Sequence, residues 1–233
     1  MSDRIKILKS NGQIEFFDRE KLRNSLKRAG ASIVLANEIS DKIESEIKDG
    51  SQTSKIYENA FRILSKKSKQ TALRYSIKRA LAEIGPTGFP FEKYVAKIMQ
   101  QKGYKTEVGM MLMGKCIEHE IDVVAYDNDD LILIEAKYHN EISAKTDTKV
   151  ALYMKARFDD LRDVDFLIGG KKRQMTNGLL ITNTKFTDNV KKYAKCVGLD
   201  LISWDHPSKG NLYNIIETTE VYPTGFVKDR SVK

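Results

Sequence analysis

Three residues of chemically useful type fall close together mid-chain: Asp122, Glu135 and Lys137, spaced Asp-x(12)-Glu-x-Lys within HEIDVVAYDNDDLILIEAKYHN (119–140). Two apolar runs, IDVVAY and LILIEAK, flank DNDD, so the stretch predicts a β-hairpin. Its most apolar part carries charge, which buried strands avoid unless the charge has a partner. A two- or four-residue loop centred between Asn128 and Asp129 sets Asp122 opposite Glu135 and Glu120 opposite Lys137. A three- or five-residue loop breaks that register. Alternation puts Asp122 and Val124 on one face with Leu131, Leu133, Glu135 and Lys137. Opposed carboxylates repel unless something neutralises them. A divalent cation does so economically. Mg²⁺ (or Mn²⁺) takes one or two carboxylates plus waters and a substrate phosphate. Asp122 and Glu135 suit that, with the Ala136 carbonyl as a third ligand, and Lys137 is placed to hold or activate a water. The alternative is a salt-bridged pair, Glu135 or Glu120 with Lys137.

A second cluster lies near the start. Lys9, Lys21 and the turn at Ser10-Asn11-Gly12 bring positive charge and free backbone N–H groups near a helix start at Asp18, an arrangement that holds phosphates. No GxxxxGK[ST] loop accompanies it, since Gly169-Gly170-Lys171-Lys172 has the wrong spacing.

The elements that must position these residues differ between the two halves. EIGPTGFPFE (83–92) holds two of the four prolines and separates them. The expected division is 1–85, a linker at 86–90, and 91–233. The first half predicts a short hairpin (5–8 and 14–17) and four helices. Asp18 caps the first, with Leu22, Leu26 and Ala29. Ile39, Ile43 and Ile47 stripe the second, Thr53 caps the third, and the fourth runs over about 68–84. The second half predicts a helix over 91–103, a strand near 104–110 and the hairpin. A helix near 147–163, a strand at 178–182, a helix near 187–197 and a strand at 200–204 follow. Together these make an α/β core with helices on a mixed sheet. PTGF occurs twice, at 86–89 and 223–226, which turn chemistry explains.

Net charge is +8 over 233 residues. Residues 1–85 hold 18 Lys+Arg against 11 Asp+Glu, or +7, and the remainder 22 against 21, or +1. A basic surface favours polyanions. No apolar run reaches the ~20 residues of a membrane helix, and the first residues lack a signal-peptide core. Cys116 and Cys196 belong to no Cys/His cluster, which fits reduced thiols and a cytoplasmic setting without structural zinc.

ILKSNGQIEFFDREKLRNSLKRAG (7–30) resembles the opening of the ATP-cone, the allosteric nucleotide-binding module of ribonucleotide reductases and their repressor. Ile7, Lys9, Gly12, Glu15, Phe17, Asp18, Lys21 and Leu22 match its pattern, as do Thr53 to Ile56. The resemblance covers about 4–85. It implies phosphate contacts from Lys9 and Lys21, base and ribose contacts around Glu15, Asp18 and Thr53, and ATP or dATP as a regulator. The family's usual Arg after the first Lys is Ser10 here.

Over about 90–205 the hairpin and its surroundings are similar to the PD-(D/E)xK nuclease superfamily, in its type IV, Mrr-like restriction endonuclease branch. The carrying segments are FEKYVAKIMQQKGY, HEIDVVA, LILIEAK, GLLITNTKFTDNVKKYA and LISW. The resemblance implies Asp122 and Glu135 as metal ligands, Lys137 as catalytic, and Glu92 on the first helix as an acid of the metal–water network. Ile121 replaces the common Pro. Lys145, Lys149, Lys171, Lys172 and Arg173 are candidate DNA phosphate contacts, with Lys191, Lys192 and Lys195 as further ones. His119 and His139 flank the hairpin strands, where a satisfied histidine is the commoner case. The resemblance implies a Mg²⁺-dependent DNA endonuclease under ATP or dATP control, at least dimeric if both strands are cut. The alternatives are a non-catalytic, nucleotide-sensing DNA-binding regulator and a repair or junction nuclease.

Overall fold

The computed structural model describes residues 5–9, 12–85, 87–141 and 144–223. Ser10 and Asn11 of the first turn, Pro86, most of the second PTGF copy and the basic tail lie outside the described residues. Two compact units divide between Lys78 and Arg79.

In the first unit, β1 (Lys6–Leu8) and β2 (Ile14–Phe16) form the expected antiparallel hairpin, with Ile7 opposite Glu15. Helices α1 (Arg19–Arg28) and α2 (Ile33–Glu46) follow. The Asp18 side chain accepts from the Lys21 N–H at 3.1 Å and caps α1, as its position predicts. A strand missing from the sequence reading, β3 (Ser51–Gln52), runs parallel to β1 and leads directly into α3 (Thr53–Lys67). Two residues are too few to show a period. Thr53 is the first residue of α3; Gln52 takes the cap position, and no side chain bonds the helix start. Leu22, Leu26, Ile39, Ile43, Ala60 and Leu64 fill the core. Helix α4 (Lys69–Ala82) ends at the glycine- and proline-rich punctuation.

The second unit opens with α5 (Phe89–Gln101), β4 (Lys105–Met113), β5 (Glu118–Tyr126) and β6 (Leu131–Lys137). Then come β7 (Lys145–Thr146), α6 (Thr148–Leu161), β8 (Phe166–Ile168) and β9 (Lys171–Arg173). The chain continues through β10 (Asn177–Thr182), β11 (Lys185–Phe186), α7 (Asp188–Val197), β12 (Asp200–Ile202) and α8 (Leu212–Thr219). The main sheet has the order β12-β10-β6-β5-β4. Its β4, β5 and β6 are antiparallel neighbours, while β6, β10 and β12 run parallel, so the sheet is mixed as expected. Helix α5 packs against β4, β5 and β6, and α8 against α5. Helices α6 and α7 contribute Ala151, Met154, Phe158, Val190 and Ala194 to a core built on Val124, Leu131, Leu133 and Leu180. The strands at β7, β8, β9 and β11 and the helix α8 carry no period long enough to read from sequence.

Gly178 in β10 lies under Phe158 of α6, so close that a Cβ there would sit 2.4 Å from the ring. Overpacked cores lose about 1–3 kcal/mol. Gly178→Ala is therefore expected to lower the urea midpoint by a stability loss of at least about 1 kcal/mol; an unchanged midpoint would mean that α6 is free to move off the sheet.

Candidate active site

The hairpin loop decides the register. Tyr126 pairs with Leu131, leaving a four-residue loop, and Val123 pairs with Ile134. Asp127 closes it, its Oδ1 accepting from the Asp129 and Asp130 N–H groups at 2.9 and 2.8 Å. Those two donors hold the Asp127 carboxyl below the usual aspartate range.

The ladder stops one step short of the charged pair. Beyond Val123–Ile134, β5 pairs only with β4, down to Glu118 opposite Met113, while β6 pairs with β10 as far as Lys137 opposite Thr182. The β4–β5 ladder also lapses at Asp122, opposite Gly109, whose φ of +67° is a left-handed value that a side chain would strain. Asp122 thus sits where regular pairing fails on both sides. Its Oδ2 accepts from the buried Ala136 N–H at 2.7 Å, so the carboxylate turns toward β6 in place of a backbone carbonyl. Strict alternation is broken here as well: Ile121 and Val124 both enter the core under α6. The expected shared face holds for Val124, Leu131, Leu133 and Glu135.

Glu135 bonds to a residue that the sequence reading missed. Arg157 of α6 donates from Nη1 to Glu135 Oε2 and to the Glu120 carbonyl, both at 3.0 Å, and from Nη2 to the Tyr153 hydroxyl at 2.9 Å. The Glu135 and Arg157 side chains are 18 and 13% exposed. Neither alternative ion pair with Lys137 forms: Glu120 pairs with Met111 of β4, and no hydrogen bond or ion pair to a described residue holds the Lys137 ammonium. The Lys137 charge still draws the Asp122 and Glu135 carboxyls downward.

Burial and like charge dominate the cluster. Burial pushes the Glu135 carboxyl up to about 7, helped by Asp122 and Glu92 and opposed by Arg157 and Lys137. Burial also raises Asp122, against the Ala136 N–H and Arg157. It raises Glu92, with Asp122 and Glu120 adding to the effect, so α5 brings Glu92 to the same charge cluster. Among the described residues no three His, Cys, Asp or Glu side chains converge closely enough to hold a metal by themselves. The donor set is Asp122 and Glu135, which fits a hard divalent cation that keeps most of its waters. Repelling carboxylates in a partly dry site are the condition that such an ion relieves. The Ala136 N–H belongs to Asp122.

The histidines are structural. His119 Nε2 lies 2.8 Å from Asp160 Oδ2, and His139 lies 3.0 Å from Thr146 Oγ1, with its backbone held on both sides by Asn183. That contact ties β7 to the end of β6, so exposed Lys145 follows the charged strand closely; Lys149 is exposed in the first turn of α6. The other basic candidates are elsewhere. Arg173 donates to the carbonyls of Asp127 and Ile168 and lies over the Tyr126 ring, at the loop end of the hairpin. Five residues at about 3.3 Å each separate Asp127 from Asp122 along the strand. Lys171 and Lys172 share that end on β9, Lys172 with 81% exposure. Their placement counts against contact with a phosphate held at Asp122.

In the first unit, Lys9, Gly12, Thr53 and Ser54 line a pocket of about 330 Å³. Parallel pairing of β1 with β3 brings the uncapped start of α3 beside Lys9, so the helix end facing the basic turn belongs to α3, not α1. Lys9 Nζ bonds Glu15 Oε2 at 2.8 Å. Asp18 is committed to its cap, and Lys21 is exposed outside the pocket lining.

The raised Glu135 carboxyl has a stability consequence in metal-free protein. A carboxyl whose folded value lies above its unfolded value favours folding at low pH, and that contribution disappears as pH rises from about 4.5 through about 7. In EDTA, the Tm of Glu135→Gln is expected to gain on that of wild type between pH 5 and pH 8; a constant difference would contradict the burial of the charge.

Sequence profiles of two families match the chain in order: "ATP cone domain" over residues 5–84 and "Restriction endonuclease" over 86–206. An uncharacterized protein of Archaeoglobus fulgidus is 36% identical over 129 residues, 55% of this chain and 68% of that protein. A crystal structure of a protein of unknown function, AF1548, shares 35% identity at a TM-score of 0.47, covering 57% of this chain and 66% of that one. The MspJI restriction endonuclease in complex with a 27-mer oligonucleotide shares 13% at a TM-score of 0.32, over 85% of this chain and 45% of that one. The present chain thus spans about two thirds of the length of the first two relatives. No described helix is long and apolar enough to cross a membrane. The chain belongs to the restriction endonuclease family, carrying an ATP-cone domain ahead of its nuclease-like domain.

Proposed function

We propose that residues 91–233 form a metal-dependent DNA endonuclease regulated by ATP or dATP bound to residues 1–85, with restriction-type defence as its setting. The carrying observation is the convergence of the Asp122 and Glu135 carboxyls, both raised by burial, with Asp122 raising Glu135 further, beside a lysine that has no hydrogen-bonded partner among the described residues, in a domain of the restriction endonuclease family. Asp122 and Glu135 would hold Mg²⁺ or Mn²⁺, which when bound polarises a phosphate and lowers the pKa of its water. Asp122 is oriented by the Ala136 N–H, and Lys137 reaches beyond Glu135 at the open end of the strand. There its ammonium holds the attacking water and offsets negative charge developing on the phosphate. Glu92 orients water from the α5 side. Lys145 and Lys149 flank the same end and meet the DNA backbone. Two such sites, hence a dimer at least, serve the two strands.

In the cone, Lys9 and the free N–H groups at the start of α3 take the phosphates. Glu15 exchanges its ion pair with Lys9 for contact with the ribose or base.

Supercoiled plasmid, methylated and unmethylated, and branched DNA incubated with Mg²⁺, with and without ATP or dATP, test the reading. Wild type is expected to nick one of them, and Lys137→Ala to lose about 10²–10⁴-fold in rate. DNA binding without any nicking would leave a nucleotide-sensing regulator. A charge-assisted phosphate contact is worth about 1.5–3 kcal/mol. Lys9→Ala is therefore expected to weaken nucleotide binding by calorimetry at least about tenfold, and an unchanged Kd would remove the cone assignment.

A further inference from the structure

We propose that Arg157 is a positioning residue of the metal site: its guanidinium ties β5 to β6 across their split and fixes Glu135 for a bound divalent cation. The inference rests on the reading of Asp122 and Glu135 as the metal ligands.

The β5–β6 ladder ends at Val123–Ile134, and the two strands then follow different partners. Past that point two contacts from β5 reach toward β6. One is Asp122 to the Ala136 N–H. The other runs through Arg157, whose Nη1 sits 3.0 Å from both the Glu120 carbonyl on β5 and Glu135 Oε2 on β6. A single nitrogen therefore bridges the two strands beside the bond from the Ala136 N–H to Asp122. It also bonds Oε2, so that Oε1 is the oxygen that would be left for a cation.

Arg157 could instead be a counter-charge that leaves when the cation arrives. Its other anchors argue against departure. Nη2 donates to the Tyr153 hydroxyl at 2.9 Å, and the guanidinium carbon lies 4.8 Å from the centre of that ring. The bond to the Glu120 carbonyl does not involve Glu135 at all. One turn further along α6, Asp160 accepts from the N–H groups of Cys116 and Ile117 and bonds His119, pinning the β4–β5 turn to the same helix. The helix face holding Arg157 is thus itself fixed to β5. A lysine would keep the charge but, as a compact ammonium without the planar fork, could not span these acceptors.

The test is Mn²⁺ affinity of the full chain without DNA, by calorimetry and by the electron paramagnetic resonance signal of free Mn²⁺. Partners that orient metal ligands are worth about 10–100-fold in affinity. Arg157→Lys and Arg157→Gln are both expected to weaken Mn²⁺ binding by at least about tenfold, although the second removes a positive charge and should tighten it on Coulomb grounds alone. Tyr153→Phe, which keeps the guanidinium and removes one anchor, is expected to weaken it by a smaller factor. Tightened or unchanged binding in Arg157→Gln would overturn the proposal. Should the Arg157 variants fail to fold, unchanged binding in Tyr153→Phe would overturn it equally. Wild type that binds no Mn²⁺, with Asp122→Asn as the comparison, would overturn the metal-site reading and this inference with it. Normal wild-type binding with unaffected variants would overturn this inference alone.

Discussion

The bond from the Ala136 N–H to the Asp122 carboxylate is the contact on which the site depends. A β-sheet tolerates a break in its ladder only if the freed donors and acceptors find other partners. At 2.7 Å, Asp122 Oδ2 supplies that partner for β6 just after backbone pairing with β5 has ended. The same bond orients the carboxylate and lets the strands separate. A cleft that would otherwise cost an unsatisfied buried amide becomes a stable opening. The lapse opposite Gly109 contributes from the other side, since β4 does not hold Asp122 in a flat ladder either. Glu135 and Lys137 lie on the part of β6 that has left β5 and pairs only with β10, where Glu135 meets Arg157 of α6.

Helix α6 limits how far the opening goes. Arg157 links Glu120 to Glu135, and Asp160 gathers the turn between β4 and β5. Phe158 between them lies on Gly178 of β10, so the helix is registered against the parallel half of the sheet as well. Arg157 lies one residue before this ring and Asp160 two after it, which makes core packing and site geometry one problem. Asp160 shows how strongly the polar part is held: His119 and the turn amides pull its carboxyl down to about 2. The contribution of the Asp160 carboxylate is present above about pH 4 and is lost as pH falls toward 2.

Much of this was legible in the sequence, for local reasons. The DNDD loop could be counted, and a four-residue loop sets the register from Tyr126–Leu131 to Val123–Ile134, one step before Asp122 and Glu135, where the ladder ends. The apolar stripes located α1 and α3 to α7 to within a few residues, while α2 starts at Ile33, six residues before its stripe, and ends before Ile47, and the punctuation near Gly85 ended α4. What escaped was non-local or too short to be periodic. Arg157 lies 22 residues beyond Glu135 and reads as an ordinary charged position of an amphipathic helix. The Tyr153, Arg157 and Asp160 spacing does mark one helical face, but not what that face meets. Strand β3 has two residues, yet it decides which helix start faces Lys9. The basic run at Lys171–Arg173 illustrates the converse. A charge cluster names no surface, and here it braces the hairpin loop through Arg173.

Both units keep a charged site residue in an ion pair, and the two pairs differ in a way that matters. Lys9 and Glu15 are 39 and 32% exposed, and pairs of that kind contribute only about 0–1 kcal/mol. Opening such a pair to admit a phosphate costs little, because water solvates both ends. Glu135 and Arg157 are 18 and 13% exposed. Breaking a pair that dry leaves two poorly solvated charges, which is strongly destabilising. The same motif of a cation beside a carboxylate therefore serves opposite ends. In the proposed function, the first pair exchanges partners with a ligand, and the second remains in place while a ligand is added beside it. The difference lies in burial, which follows from position: one pair caps a two-stranded hairpin at the surface, and the other stands between a sheet and the helix that covers it.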